Sequence, residues 1–265
     1  VALVVVAAVI QLAGLIVRYR LFSDLTDEQT GRLGLLLYAS YPFAFFQAVP
    51  YPEGLTTCMG AAAVLCAMRR AHLATFLCLG GAVLSRHVGA FAAFAVLPAL
   101  WHANRHQALP RRVLSLWPLL AVPVAVLMFS AVLQSQIGNA SAFVQSRENW
   151  GPMSYWSVLE WSAPRTHLEH HFYIVVSGLL AIGALPLLHA RRARGLAVMS
   201  ALNLLLLWAV GVAALGRYSS SVWPCFLGLA IALRRFPSLA TVVLLSGAAT
   251  QVLWFHLYAH AWWVF

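Results

Sequence analysis

The sequence predicts an all-α, polytopic transmembrane protein, on three observations. Of its 265 residues 62% are hydrophobic and only 9% are charged, against about a quarter charged in an ordinary soluble domain. Apolar runs recur from Val1 to Phe265 with no polar stretch long enough for a separate soluble domain, so residues 1–265 read as one transmembrane domain. The runs do not alternate apolar and polar residues over ten-residue segments, as the strands of a membrane barrel would. Lipid offers backbone amides no partner, so runs of this kind must be helices.

About ten spans follow in order, at roughly 1–17, 33–49, 54–68, 73–85, 88–103, 113–133, 172–189, 196–215, 219–233 and 238–259. The first has no basic stretch before it and no small-residue cleavage site, so it is a span already in progress and not a signal peptide. That beginning suggests an internal piece of a longer protein. The second and third spans are parted by Pro50 and Pro52, the fourth and fifth by Arg86 and His87, and the eighth and ninth by Arg217. Several spans are shorter than the ~20 residues that cross a bilayer upright. Short or bent helices around a water-filled cavity accommodate that.

All seventeen basic residues are Arg, and they sit as short clusters between apolar runs. With the first span running inward, thirteen fall on one side: Arg18, Arg20, Arg32, Arg69, Arg70, Arg105, Arg111, Arg112, Arg191, Arg192, Arg194, Arg234 and Arg235. Only Arg86, Arg147, Arg165 and Arg217 fall on the other. The positive-inside rule makes the thirteen cytoplasmic. The formal charge of +10 is therefore an orientation signal, and nucleic acid is not an expected partner. The four cysteines lie inside apolar runs without metal-ligand spacing, as small core or lipid-facing residues.

The external side carries Glu53, Glu148, Glu160 and Glu169, and one long loop, Gln134–His171, with three Trp and three His. Long loops are commonly functional, and this one's aromatic content argues against disorder. The alternative is a loop lying on the bilayer with Trp at headgroup depth. Metal binding is not expected from His167, Glu169, His170 and His171, because adjacent His side chains diverge on a helix. His256 and His260 share a helix face and suit interfacial anchoring.

Three short segments could carry chemistry. In Pro50-Tyr51-Pro52-Glu53 the prolines end one helix and start another, and Glu53 sits in a first turn where the helix dipole favours an anion. It either caps that helix or serves as a carboxylate in an outer cavity. Ser85-Arg86-His87-Val88-Gly89 places Arg86 where two short apolar runs meet, and an ionisable residue at membrane depth is a candidate functional group. Gly216-Arg217-Tyr218 precedes three serines, whose hydroxyls join an Arg fork suited to phosphate oxygens. For both Arg the alternative is snorkelling to the headgroups.

The run YPFAFFQAVPYPEGL, with LSRHVGAF about thirty residues later, resembles the PIG-V type mannosyltransferases, the family of GPI mannosyltransferase 2 and its bacterial relatives. Pro50, Tyr51 and Glu53 match its P-Y-x-E element, and Ser85, Arg86 and Gly89 its T/S-R-x-x-G element. Asn149–Gly151 and Gly216–Tyr218 are similar to later signatures, and the resemblance spans about residues 5 to 235. It implies a C-type glycosyltransferase fold and a polyprenyl-phosphate-linked sugar donor, with mannose as the sugar. It also implies a glycan or glycolipid acceptor on the extracytoplasmic side, among membrane lipids and without a further cofactor. Arg86 and Arg217 would hold the donor phosphate, with Tyr51, Tyr218 and Glu148 lining the site and Trp150 stacking on sugar or acceptor. Glu53 would organise the site, bind sugar or stand in as catalytic base. The family's first external loop carries an acidic residue, and this sequence begins after the place where that loop would lie. The chain starting at Val1 is accordingly expected to transfer no sugar alone. The rival class is a lipid or solute transporter or flippase, which would place polar groups at the bilayer midplane within broken spans.

Overall fold

Backbone groups that cannot reach water must pair within their own segment, and helices do this along their whole length. The computed structural model describes residues 2–145, 168–210 and 215–260, and among these there are helices and no strand. The helices are α1 (Ala2–Leu25), α2 (Glu28–Ala39), α3 (Pro52–Met68), α4 (His72–Ser85), α5 (Ala93–Ala103), α6 (Leu109–Leu114) and α7 (Ala121–Ile137). They continue as α8 (Ala142–Gln145), α9 (Leu168–His189), α10 (Arg194–Val210), α11 (Leu215–Ser219), α12 (Pro224–Leu233) and α13 (Pro237–Ala259). Tight 3-10 turns lie at Ala44–Gln47, His87–Ala92 and Trp117–Leu120.

Four of the described helical stretches are long and apolar enough to cross a membrane: Ala2–Leu25, Leu109–Ile137, His171–His189 and Pro237–Ala259. Their large apolar side chains, among them Leu3, Val9 and Leu12 of α1 and Leu245 and Val252 of α13, are exposed. Contiguous apolar surface on this scale suits a lipid environment, not water.

Several expected spans are divided. The run 33–49 is α2 followed by a turn and the 3-10 segment, because Pro42 cannot continue a helix and pushes the residue before it toward extended backbone. The run 219–233 begins as a helix only at Pro224, where a proline suits the first helical position. Helices α7 and α9 overlap both ends of the expected loop 134–171, and 146–167 lie outside the described residues.

Helix α3 occupies the centre, packed against α1, α4 and α5, while α12 packs on α9 and α2. At the α9–α12 crossing a Cβ on Gly228 would collide with the carbonyl of Gly183. Small residues there let two backbones touch, a common way to associate helices in lipid. An aromatic cluster fixes the other side: Phe43 meets Tyr41, Phe172, Tyr173 and Trp254 at centroid separations of 5.2 to 6.0 Å. Each such pair is worth about 0.5–1.5 kcal/mol beyond the area it buries.

One end of the bundle is marked by exposed ion pairs, Asp24–Arg69, Asp27–Arg234 and Glu28–Arg32, at 3.2, 3.4 and 2.8 Å. Pairs this exposed contribute little energy, but they set the register. Gly14 of α1 also lies against Cys58 of α3, 3.3 Å from a Cβ built on the glycine. Thus α1 and α3 run parallel, and Glu53 lies near the level of Val9. At 1.5 Å per residue that is about 10 Å below the start of α1 and about 24 Å above its end.

Candidate functional site

Pro52 opens α3 at a first-turn position, and Glu53 follows it with no exposed surface. Arg86 comes from the break after α4, in extended backbone with φ −157° and ψ 138°. Two contacts hold that break in place. Thr56 and Ser85 hydroxyls lie 2.8 Å apart across α3 and α4, and Gly89 rests on the carbonyl of Ala82, where a Cβ could not fit. Arg217 comes from α11, whose Tyr173-facing Gly216 permits close approach to α9.

These three segments, far apart in sequence, meet at one atom. Glu53 Oε1 accepts from Arg86 Nη1 at 2.5 Å and from Arg217 Nε at 2.7 Å. The two Arg side chains keep 17% and 19% exposure, against 0% for Glu53, so the carboxylate is the buried anchor and the cations form its open side. Arg217 lies over the Tyr51 ring at 3.9 Å and Arg86 over the Tyr218 ring at 4.3 Å. Cation–π contacts that exclude water are worth ~2 kcal/mol. Tyr258 of α13 joins this group through its hydroxyl, which is bonded to Tyr51 and feels the charge of Arg217.

A file of polar groups runs beneath. Gln47 donates to Ser220 Oγ at 2.7 Å, Thr57 donates to Gln47 Oε1 at 2.8 Å, and Arg18 Nη2 donates to Thr57 Oγ1 at 2.8 Å. Arg18 has no exposed surface and lies over the Tyr38 ring at 4.3 Å. Its Nε and Nη1 have no hydrogen-bond partner among the described residues, and the same is true of Glu53 Oε2.

Arg18 therefore departs from the loop position expected of it. It sits inside α1, not in a loop, and a helical Cβ tilts toward the helix start. The long side chain thus climbs away from the ion-paired end toward Thr57. Among the described residues the site holds three guanidinium groups and one carboxylate, an excess of two positive charges. Such an excess is costly in an apolar surrounding unless an anion meets it.

Glu53, expected as a stand-in catalytic base, has a less exposed side chain than Arg86 or Arg217. A base must reach the proton it takes, and this carboxylate is covered, with one oxygen shared by two cations. Its geometry is that of the residue that positions Arg86 and Arg217. Those Arg each spend one N–H direction on Glu53 and keep part of their side chains exposed, and a guanidinium's planar N–H groups suit phosphate oxygens. Tyr51 and Tyr218 stand at the site as platforms under the guanidiniums. Glu148 and Trp150 lie outside the described residues.

Gln47, Thr57, Arg18 and Tyr258 were not singled out from sequence, whereas Ser220 is one of the three serines read there as phosphate-site hydroxyls. Gln47 had a visible signal, as a polar residue inside the Tyr41–Glu53 segment. Tyr258 had none, being one aromatic among many. His256 and His260 lie with ring centroids 4.2 Å apart near the end of α13. Among the described residues no three His, Cys, Asp or Glu side chains are grouped to hold a metal ion. Compared with family models, curated proteins and solved structures, the chain matches none.

Proposed function

We propose that the chain is a membrane glycosyltransferase of the C-type, with about ten spans counting the short and broken ones and with the Glu53 end facing the extracytoplasmic side. It transfers a sugar, mannose on the resemblance to the PIG-V type enzymes, from a polyprenyl-phosphate donor to a glycan or glycolipid acceptor. The observation that carries this reading is the shared Glu53 Oε1, which fixes Arg86 and Arg217 side by side with open edges.

In the reaction the acceptor oxygen attacks the anomeric carbon, the bond from that carbon to the phosphate oxygen breaks, and polyprenyl phosphate leaves with the electron pair. The leaving group needs no proton, because it departs as a phosphate anion. Preorganised donors aimed at developing charge are a large catalytic term, and here they are the free N–H groups of Arg86 and Arg217. Arg18, one turn deeper, adds a fixed positive charge. The acceptor proton goes to a carboxylate of the 134–171 segment, for which Glu148 is the proposed base and Trp150 the stacking partner.

The fully buried Arg18 inside the apolar α1 favours a second reading, a lipid transporter or flippase. With Glu148 as base, the absence of transfer expected from the sequence gives way to the opposite outcome: membranes from cells expressing the chain, given polyprenyl-phosphate-[3H]mannose, are expected to label an acceptor. Arg217→Ala should lower that labelling at least about tenfold, since one charge-assisted hydrogen bond is worth ~1.5–3 kcal/mol. Donor that crosses the bilayer with no sugar transferred would overturn the transferase reading in favour of transport.

A further inference from the structure

The opposite end of the bundle holds a cavity of about 390 Å³ between the end of α1, the ends of α3 and α5 and the start of α10. Its walls are apolar, with Leu25, Val64, Met68 and Pro98 among them, and its polar lining is His102, Arg191 and Arg192. Further cations crowd the rim. Arg112 lies over the Trp101 ring at 3.7 Å and donates to the Trp101 carbonyl at 3.0 Å. Arg105 Nη1 approaches His102 Nε2 at 3.4 Å. The charges of Arg105, Arg192 and Arg112 all bear on His102.

The acids at this end are engaged elsewhere: Asp24 with Arg69, Asp27 with Arg234 and Glu28 with Arg32. No carboxylate lies within 4.0 Å of Arg105, Arg112, Arg191 or Arg192 among the described residues. Gly195 seats the first turn of α10 directly on Ala95 and Pro98, so the positive end of that helix dipole adds to the same wall.

We propose that this cavity binds an anionic phospholipid, its phosphate between Arg191, Arg192 and Arg112 and the upper part of an acyl chain along the apolar wall. A basic mouth over an apolar wall is the arrangement that takes a lipid headgroup between transmembrane helices. A free phosphate would use the mouth alone and leave the apolar wall unmatched. Arg recognises phosphate through paired N–H groups, and Arg112 is already held in place by its stacking on Trp101. The proposal is independent of the sugar-transfer reading, since it involves neither Glu53 nor Arg217.

The test is native mass spectrometry of the delipidated protein titrated with phosphatidylglycerol, phosphatidylcholine and inorganic phosphate. Phosphatidylglycerol should bind at least about tenfold tighter than phosphatidylcholine, a ratio set by charge-assisted contacts. Arg191→Gln with Arg192→Gln should bring the ratio below about threefold, and the matching Lys pair should keep part of it. Ala99→Leu, which narrows the cavity without touching a charge, should weaken phosphatidylglycerol while leaving the Arg in place. Equal binding of the two lipids by the wild type would overturn the proposal. So would a preference that survives both the Gln pair and Ala99→Leu, or displacement of phosphatidylglycerol by millimolar inorganic phosphate.

Discussion

Removing Arg86 and Arg217 together should damage the protein mainly by stranding Glu53. In the double Ala variant a carboxylate with 0% exposure loses both of its cations, which lie 2.5 and 2.7 Å away. Breaking a buried pair by deleting one partner costs about 3–5 kcal/mol. Here both Arg side chains are partly open to solvent, so the lower figure, about 3 kcal/mol, is the appropriate one. A loss of 1 kcal/mol moves the midpoint of a chain this size by about 2–4 °C, so the double variant should melt about 6–12 °C lower. Adding Glu53→Gln removes the stranded charge and should recover about half of that loss, because replacing both sides of a buried pair is much less costly than removing one. The assay is tryptophan-fluorescence melting in one detergent at one scan rate, since membrane proteins rarely unfold reversibly. A triple variant no more stable than the double, or a double variant melting with the wild type, would refute the reasoning.

Gly89→Ala should force the His87–Ala92 turn off Ala82, costing about 1–3 kcal/mol as an overpacked contact and lowering donor binding by displacing Arg86; unchanged binding would show that the turn does not position it. Asp27 caps α2 through Thr30 N at 2.9 Å, and that bond holds its carboxyl below the ordinary value of 3.8. Asp27→Ala should cost about 0.5–2 kcal/mol near neutral pH. A carboxyl with a lowered folded pKa stabilises above its unfolded value and loses that contribution as pH falls through the folded one. The gap between wild type and variant should therefore narrow below pH 3.8, and a constant gap in acid melts would contradict this. In a background without native cysteines, a cysteine at Ser141 should react with an impermeant thiol reagent from outside and one at His106 only from the cytoplasm. The reverse pattern would invert the proposed orientation.

The residues of the Glu53 cluster were legible as separate local signals on one outer face, and the family resemblance joined them into one site. Pro50-Tyr51-Pro52-Glu53, Ser85-Arg86 and Gly216-Arg217-Tyr218 each stand out because a charge interrupts an apolar run beside a helix breaker. Their meeting depends on how α3, α4 and α11 pack, with Arg217 164 positions after Glu53, and no local periodicity encodes that. Arg18 shows the opposite failure. Its position near a cluster of Arg made it look like an orientation charge, while the direction of its side chain is set by helix geometry and by Thr57 and Tyr38. The spans erred for a similar reason. Composition marks 33–49 as apolar throughout, and only the backbone consequence of Pro42 divides it.

The central claim, that Arg86 and Arg217 anchored on Glu53 form a seat for a lipid-linked phosphate, is tested most directly by comparing polyprenyl phosphate with polyprenol of the same chain length. Binding of each to the purified protein in nanodiscs would be measured by competition against a fluorescent polyprenyl phosphate. Two charge-assisted contacts at ~1.5–3 kcal/mol each, less the desolvation of both groups, give a preference for the phosphate of at least about tenfold. The preference should fall to near unity in Arg86→Ala with Arg217→Ala, with polyprenol affinity unchanged. Equal affinity of the wild type for phosphate and alcohol, or a preference that persists in the double variant, would contradict the account.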